Sequence, residues 1–243
     1  MVADITASAA RIPGEVPILI GQGSLKGEVV LRPSGPAAQG RFALADVRQG
    51  ETIVKRAQGR IDYRDGTGTA AIVAQGRSGA DFDVAAQARF APNRIIANAK
   101  GRVANVVFRF AEPVRLDREG KDWVLSPARL VVPQGEVRLS GRYGRETRLQ
   151  ARLANFDIGI ARAFMPGLGL GGRASGTLDY ASLPGQTTPT VNARLDIARF
   201  TRTSAYVVSE PVDLALLAKL DAAGGDMRGI VRRGGTIVGR FVT

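Results

Sequence analysis

What most constrains this chain is an alternation of apolar and polar residues with a period of two, repeated along its length. Over 148–153, Leu149, Ala151 and Leu153 alternate with Arg148, Gln150 and Arg152. Over 174–180, Ala174, Gly176, Leu178 and Tyr180 alternate with Ser175, Thr177 and Asp179. Over 191–197, Val191, Ala193, Leu195 and Ile197 alternate with Asn192, Arg194 and Asp196. Around Phe82 the apolar phase is Phe82, Val84, Ala86, Ala88 and Phe90, against Asp81, Asp83, Ala85, Gln87 and Arg89. Successive side chains of a strand point to opposite faces, so each segment reads as a strand with one apolar and one wet face.

Further strands are expected at 15–20, 24–31, 40–47, 52–62, 68–76, 94–100, 102–110, 113–117, 122–126, 128–132, 135–142, 204–208, 211–216, 226–232 and 235–242. Between them lie turn dipeptides such as Asp65-Gly66, Glu119-Gly120, Gln134-Gly135 and Gly234-Gly235, where glycine adopts a positive φ cheaply. The gaps are short, which favours hairpins; parallel crossovers need a dozen or more residues. Two segments depart from the pattern. Asp157–Met165, closed by Pro166-Gly167, reads as a helix of two turns, with Asp157 as cap and Ile160 and Phe164 on one face. Leu214–Ala223 fits either a strand or a helix over 215–223.

Roughly sixteen strands at about 4.8 Å would span on the order of 75 Å, and an open sheet of that length must curl or split. A closed barrel, a sandwich and a sheet folded around a groove would each cover the apolar face. A Gly-Arg-apolar triplet recurs at Gly40-Arg41-Phe42, Gly59-Arg60-Ile61, Gly101-Arg102-Val103, Gly141-Arg142-Tyr143 and Gly239-Arg240-Phe241. The uneven spacing excludes a solenoid of rigid period, but the triplets suggest one strand-turn unit reused. No linker divides the chain, and 1–243 reads as a single elongated segment.

Composition closes off several kinds of chemistry. The chain has no Cys and no His, which removes disulfides, thiol and imidazole catalysis and the common zinc sites. Lys and Arg number 34 against 22 Asp and Glu, a net charge of +12, yet the cations are dispersed rather than gathered into an arm, and only 6% of residues are aromatic. Nucleic acid is therefore not the expected partner. No apolar run is long enough for a membrane-spanning helix.

The remaining motifs are weak. Gly167-Leu168-Gly169-Leu170-Gly171-Gly172 meets the loose dinucleotide-binding pattern, but a helix is expected before it and a strand after it, the reverse of what that site needs. Asp81 with Asp83, and Asp117 with Glu119, stand two apart on one strand face without a calcium-loop frame, and read as a solvated face. Ser24 and Ser140 lack a nucleophile elbow, and Trp123, the single tryptophan, reads as packing. No catalytic residue, cofactor or metal site is expected, and the chain is not read as an enzyme.

Glu112-Pro113-Val114-Arg115-Leu116, then Trp123-Val124-Leu125, then Gly135–Gly141 resemble the TamB family within the AsmA-like group. So do Leu153–Ile158 and the run Phe164-Met165-Pro166-Gly167 leading into Gly172-Arg173-Ala174-Ser175-Gly176-Thr177-Leu178. The likeness is densest over 108–200. It implies a mainly all-β fold: a long, strongly curved antiparallel sheet folded into a taco-like groove, with one or two short helices. It also implies a segment of a longer periplasmic protein that an absent segment anchors in the inner membrane and that reaches towards the outer membrane. Phospholipid acyl chains would be its cargo, and an outer-membrane barrel assembly protein its partner through the full-length parent. The groove lining would come from the alternating apolar sets: Leu149, Ala151, Leu153, Leu178, Tyr180, Val191, Leu195 and Ile197. The other reading is a non-catalytic structural or binding β-protein with a sealed core.

Overall fold

The structure is a computed structural model that describes all residues except 1, 14–15, 33–34, 105, 160–168, 187 and 204–208. The chain divides into two compact units, Met1–Pro113 and Val114–Thr243. The first holds β1 (Val2–Ile12), β2 (Ile18–Arg32), β3 (Gly35–Gln49), β4 (Thr52–Arg64), β5 (Thr67–Ser78), β6 (Ala80–Ala91), β7 (Arg94–Val103) and β8 (Val106–Phe110). The second holds β9 (Val114–Glu119), β10 (Asp122–Val132), β11 (Gly135–Tyr143), β12 (Thr147–Asp157), β13 (Leu170–Ser182), β14 (Thr190–Arg202), β15 (Val212–Asp221), β16 (Gly224–Arg233) and β17 (Thr236–Val242). Within each unit every strand pairs antiparallel with the next in sequence, as short hairpin connections require.

The expected short helices need correction. Among the described residues there is no α-helix. The segment 215–223 lies mainly in β15, where Leu214, Leu216, Ala218 and Leu220 alternate and pair with Val231, Gly229, Met227 and Gly225 of β16. Its helical spacing loses to the sheet because the ladder places those four residues on one apolar face. Of the 157–165 helix, Asp157 ends β12 and its carboxylate accepts the Gly159 amide at 2.7 Å, while 160–165 lie outside the described residues. The strand expected at 204–208 also lies outside them.

Two further differences have local causes. Expected strands 122–126 and 128–132 are one strand, β10, in which a register shift between Leu125 and Ala128 absorbs Ser126 and Pro127. Proline has no amide to give to a ladder, so a bulge accommodates it. The strand β1 was not expected, because its sequence is polar at the start and irregular in phase.

Bulges also keep the apolar phase in register. Lys55, between Val54 and Arg56, and Asn155 (φ 52°) each stand as one extra residue against the neighbouring strand. In β4, Ala57 lies on the apolar face and strict alternation would turn Val54 away; the extra residue at Lys55 brings Val54 opposite Gly76 instead. At Asn155 the same device brings Phe156 opposite Ala174, and Arg199 (φ 53°) does so for Phe200 opposite Val212. The amides freed from the ladder find other acceptors: Asn155 donates to Ser175 Oγ and Arg199 to Asp213 Oδ1, both at 2.9 Å.

Candidate functional site

The registers assemble a single apolar face in each unit. In the second unit, Leu149, Tyr180, Val191 and Leu220 lie directly opposite one another across β12 to β15. The next row is Leu139, Ala151, Leu178, Ala193, Ala218 and Met227. Another joins Val137, Leu153, Gly176, Leu195, Leu216 and Gly229, and the last joins Phe156, Ala174, Ile197, Leu214 and Val231. All eight lining residues expected from sequence therefore stand on one sheet face, distributed over these four rows. In the first unit the same construction gives Leu25, Phe42, Gly59, Ile72, Ala86 and Ala99 in one row, and Leu44, Ala57, Ala74, Val84, Gly101 and Phe108 in the next.

Glycines in these rows make room for rings from the neighbouring strand. A Cβ on Gly59 would meet the Phe42 ring at 2.6 Å, and one on Gly76 would meet the Phe82 ring at 2.7 Å. In the second unit Phe241 lies against Gly229 in the same way. Tyr63 and Phe90 meet edge to face over Gly68, with ring centroids 6.0 Å apart. Such pairs contribute about 0.5–1.5 kcal/mol beyond the area they bury.

Among the described residues of each unit every element is a strand of the sheet itself, and none forms a second layer over the apolar face. Among the described residues no large side chain is fully buried, and the buried apolar set is five alanines with Val132 and Ile197. Leu149 is 44% exposed and Leu178 38%. Ala174, in the row nearest the bulges, is 1% exposed, and Ala128, opposite Leu139, and Ile197 follow at 6% and 7%. An antiparallel sheet with one uncovered apolar face is the kind of sheet used by groove-type lipid-transfer folds.

Each unit also carries a trough on the reverse, polar face, running across the strands. The larger, in the first unit, has a volume of about 1010 Å³. Its floor is the backbone of the Phe42, Gly59, Ile72, Ala86 and Ala99 row, and its walls are the side chains one residue to either side. Ser24 and Lys26 border it while Leu25, between them, does not, so it opens on the face to which Ser24 and Lys26 point. The walls hold Lys26, Arg41, Arg60, Lys100 and Arg109 and no carboxylate. Composition and spacing did not single out these cations; the cross-strand register brings them together.

The second unit's trough, about 500 Å³, likewise takes in Thr190 and Asn192 but not Val191, and contains Arg142 and Arg148 opposite each other on β11 and β12. Here carboxylates answer the charge. Arg142 donates to Glu119 and, at 3.3 Å, to Asp122, and Arg148 donates to Glu146 at 3.2 Å. The Arg145 amide donates to Asp122 Oδ1 at 3.0 Å. That amide bond, followed by the Arg142 guanidinium, holds the Asp122 carboxyl below its ordinary value, while Glu119 and then Asp122 raise Arg142 above its own. Nearby, Lys219 pairs with Asp221 at 2.7 Å, which raises the ammonium and lowers the carboxyl.

The acid pairs noted in sequence are spread out. Asp81 pairs with Lys55 at 3.8 Å and Arg77 at 4.0 Å, Asp83 accepts from Gln75, and Asp117 is bound by Arg115. No group of three metal-ligating side chains occurs among the described residues. Compared with family models, with curated proteins and with solved structures, the chain gives no match.

Proposed function

We propose that the chain is a non-catalytic segment of a TamB-like periplasmic protein, and that its apolar face carries phospholipid acyl chains between the inner and outer membranes. One observation carries this reading: in each unit the apolar rows run from strand to strand without a charged residue among them, and no second layer covers them among the described residues. Moving a methylene from water onto such a face is favourable by about 0.8 kcal/mol. A row of Leu, Ile, Val and Ala therefore holds an acyl chain without any catalytic group, and the headgroup stays in water at the sheet edge. Coupling to an outer-membrane barrel assembly protein would run through the rest of the longer parent.

The test is site-specific photo-crosslinking in cells, with the segment in its parent protein. A crosslinker replacing Leu178 or Leu195 captures phospholipid; one replacing Thr177 or Arg194, which pair with each other on the reverse face, does not. Equal capture from both faces, or none from Leu178 and Leu195, would leave the non-catalytic structural reading in its place. A folded Leu195→Asp protein fails to support outer-membrane integrity, because an acyl chain meets an unpaired carboxylate.

A further inference from the structure

The cations of the first unit's trough stand in an arrangement that is unfavourable without a ligand. Lys26 lies directly opposite Arg41, Arg41 directly opposite Arg60, and Lys100 directly opposite Arg109. Like charges placed so across a ladder repel and destabilise the pairing. Among the described residues Arg41, Arg60, Lys100 and Arg109 make no ion pair, and all four are exposed. The nearest carboxylates on that face, Glu28, Asp62 and Asp83, stand one row beyond the walls. The repulsion is relieved when an anionic ligand lies between the cations.

The shape and charge pattern narrow what that ligand is. The two walls stand about 7 Å apart along the strands, which admits one extended chain and not a duplex. Phe42 turns its ring to the other face, against Gly59, and Phe110 follows Arg109 in β8 and so takes the face opposite it, which leaves the trough without a stacking platform for single-stranded bases. The cations sit at both ends, on β2 to β4 and on β7 and β8, with Ala71, Val73 and Ala85 between. A phospholipid carries its charge at one end. From Arg60 on β4 to Lys100 on β7 is three strand steps, about 14 Å, or about four residues of extended polypeptide. Gln58, Gln87 and Asn98 line the stretch and can pair with a peptide backbone. We propose that this trough binds an extended acidic segment of a partner protein, with acidic residues about four positions apart and small apolar residues between them. The proposal goes beyond the lipid reading, uses the opposite face of the sheet, and stands or falls separately from it.

The experiment is fluorescence anisotropy with the full chain. The probe is a fluorescein-labelled peptide of about ten residues, acidic at both ends and alanine- and valine-rich in the middle. The double variants Arg41→Gln with Arg60→Gln, and Lys100→Gln with Arg109→Gln, each weaken binding about tenfold or more. Arg148→Gln in the second unit leaves it unchanged, and a peptide acidic at one end only binds more weakly than the probe. Both double variants melt no lower than the parent, since each removes a repulsion. The proposal is overturned if the peptide does not bind, if Arg148→Gln weakens it equally, or if a double variant melts lower. It is also overturned if phosphatidylglycerol vesicles or a single-stranded oligonucleotide need these four cations and the peptide does not displace them.

Discussion

Arg41 and Arg60 of the first unit face each other across β3 and β4 with no carboxylate bordering their trough, whereas Arg142 and Arg148 of the second face each other across β11 and β12 with Glu119, Asp122 and Glu146 bound to them. The apolar faces behind these arginines are built alike, row by row. The chemistry that separates the units therefore lies on their polar faces. One unit satisfies its opposed cations internally; the other leaves them open to an external anion. A face that looks in sequence like ordinary solvated surface thus holds two different devices.

The largest expected effect tests what the units share. Gly59→Val and Gly229→Val each drive a side chain into a ring, Phe42 in one case and Phe241 in the other. Overpacking of this kind costs about 1–3 kcal/mol, and chemical denaturation measures it. Both substitutions are expected to destabilise, each loosening its own unit in hydrogen–deuterium exchange. If only one does, the ring-over-glycine construction is not common to the two faces.

A smaller effect tests what they do not share, and its sign differs between units. Arg41→Gln removes two cross-strand repulsions, with Lys26 and with Arg60, and is expected to stabilise by a few tenths to about 1 kcal/mol. Arg142→Gln strips the guanidinium from Glu119 and Asp122 and is expected to lower the melting temperature. Scanning calorimetry of the two variants beside the parent decides the matter. A fall for both would show that the first unit's arginines are engaged within the fold, and the contrast would vanish.

Much of this architecture was legible because alternation states which face each residue takes. The apolar set Leu149, Ala151, Leu153, Leu178, Tyr180, Val191, Leu195 and Ile197 could be named before any register was known, and the ladders place all eight on one sheet face. The Gly-Arg-apolar triplets gain a physical meaning: at Gly59 and Gly141 the glycine lies on the apolar face beneath a neighbour's side chain, and the arginine points to the other. Three things were not legible. A bulge such as that at Lys55 or Asn155 shifts the phase by one, so Val54 and Phe156 look misplaced in a strict period-two reading. The choice between strand and helix over 215–223 stayed open because the leucines' spacing suits either period, and only the neighbouring strand β16 decides between them. The trough cations were hidden for a related reason. Lys26, Arg41, Arg60, Lys100 and Arg109 are far apart in sequence, and dispersion along the chain says nothing about clustering across a sheet.

The smallest expected effect concerns acid. Asp122 is held below its ordinary value of 3.8, first by the Arg145 amide and then by Arg142; Asp221 is held below the same value, first by Lys219 and then by the Ala223 amide. A carboxylate with a lowered folded value stabilises fully above its unfolded value, and that contribution is lost as pH falls through the folded one. Both groups belong to the second unit. The contributions of Asp122 and Asp221 should therefore be lost only below pH 3.8, as protons displace Arg142 and Lys219 from these two carboxyls. Trp123, the sole tryptophan, follows Asp122 in β10 and pairs with Tyr143, so its emission reports the event directly. In an acid titration the Trp123 signal should shift in that window, and Asp122→Asn, which has no proton to take up, should remove most of the shift. Gln substitutions at Arg41 and Arg60 should leave the titration as it was, since neither arginine binds a carboxylate among the described residues. A Trp123 transition that persists in Asp122→Asn would mean that other carboxylates govern the second unit in acid, and that the Arg142 network is less central to it than its hydrogen bonds suggest.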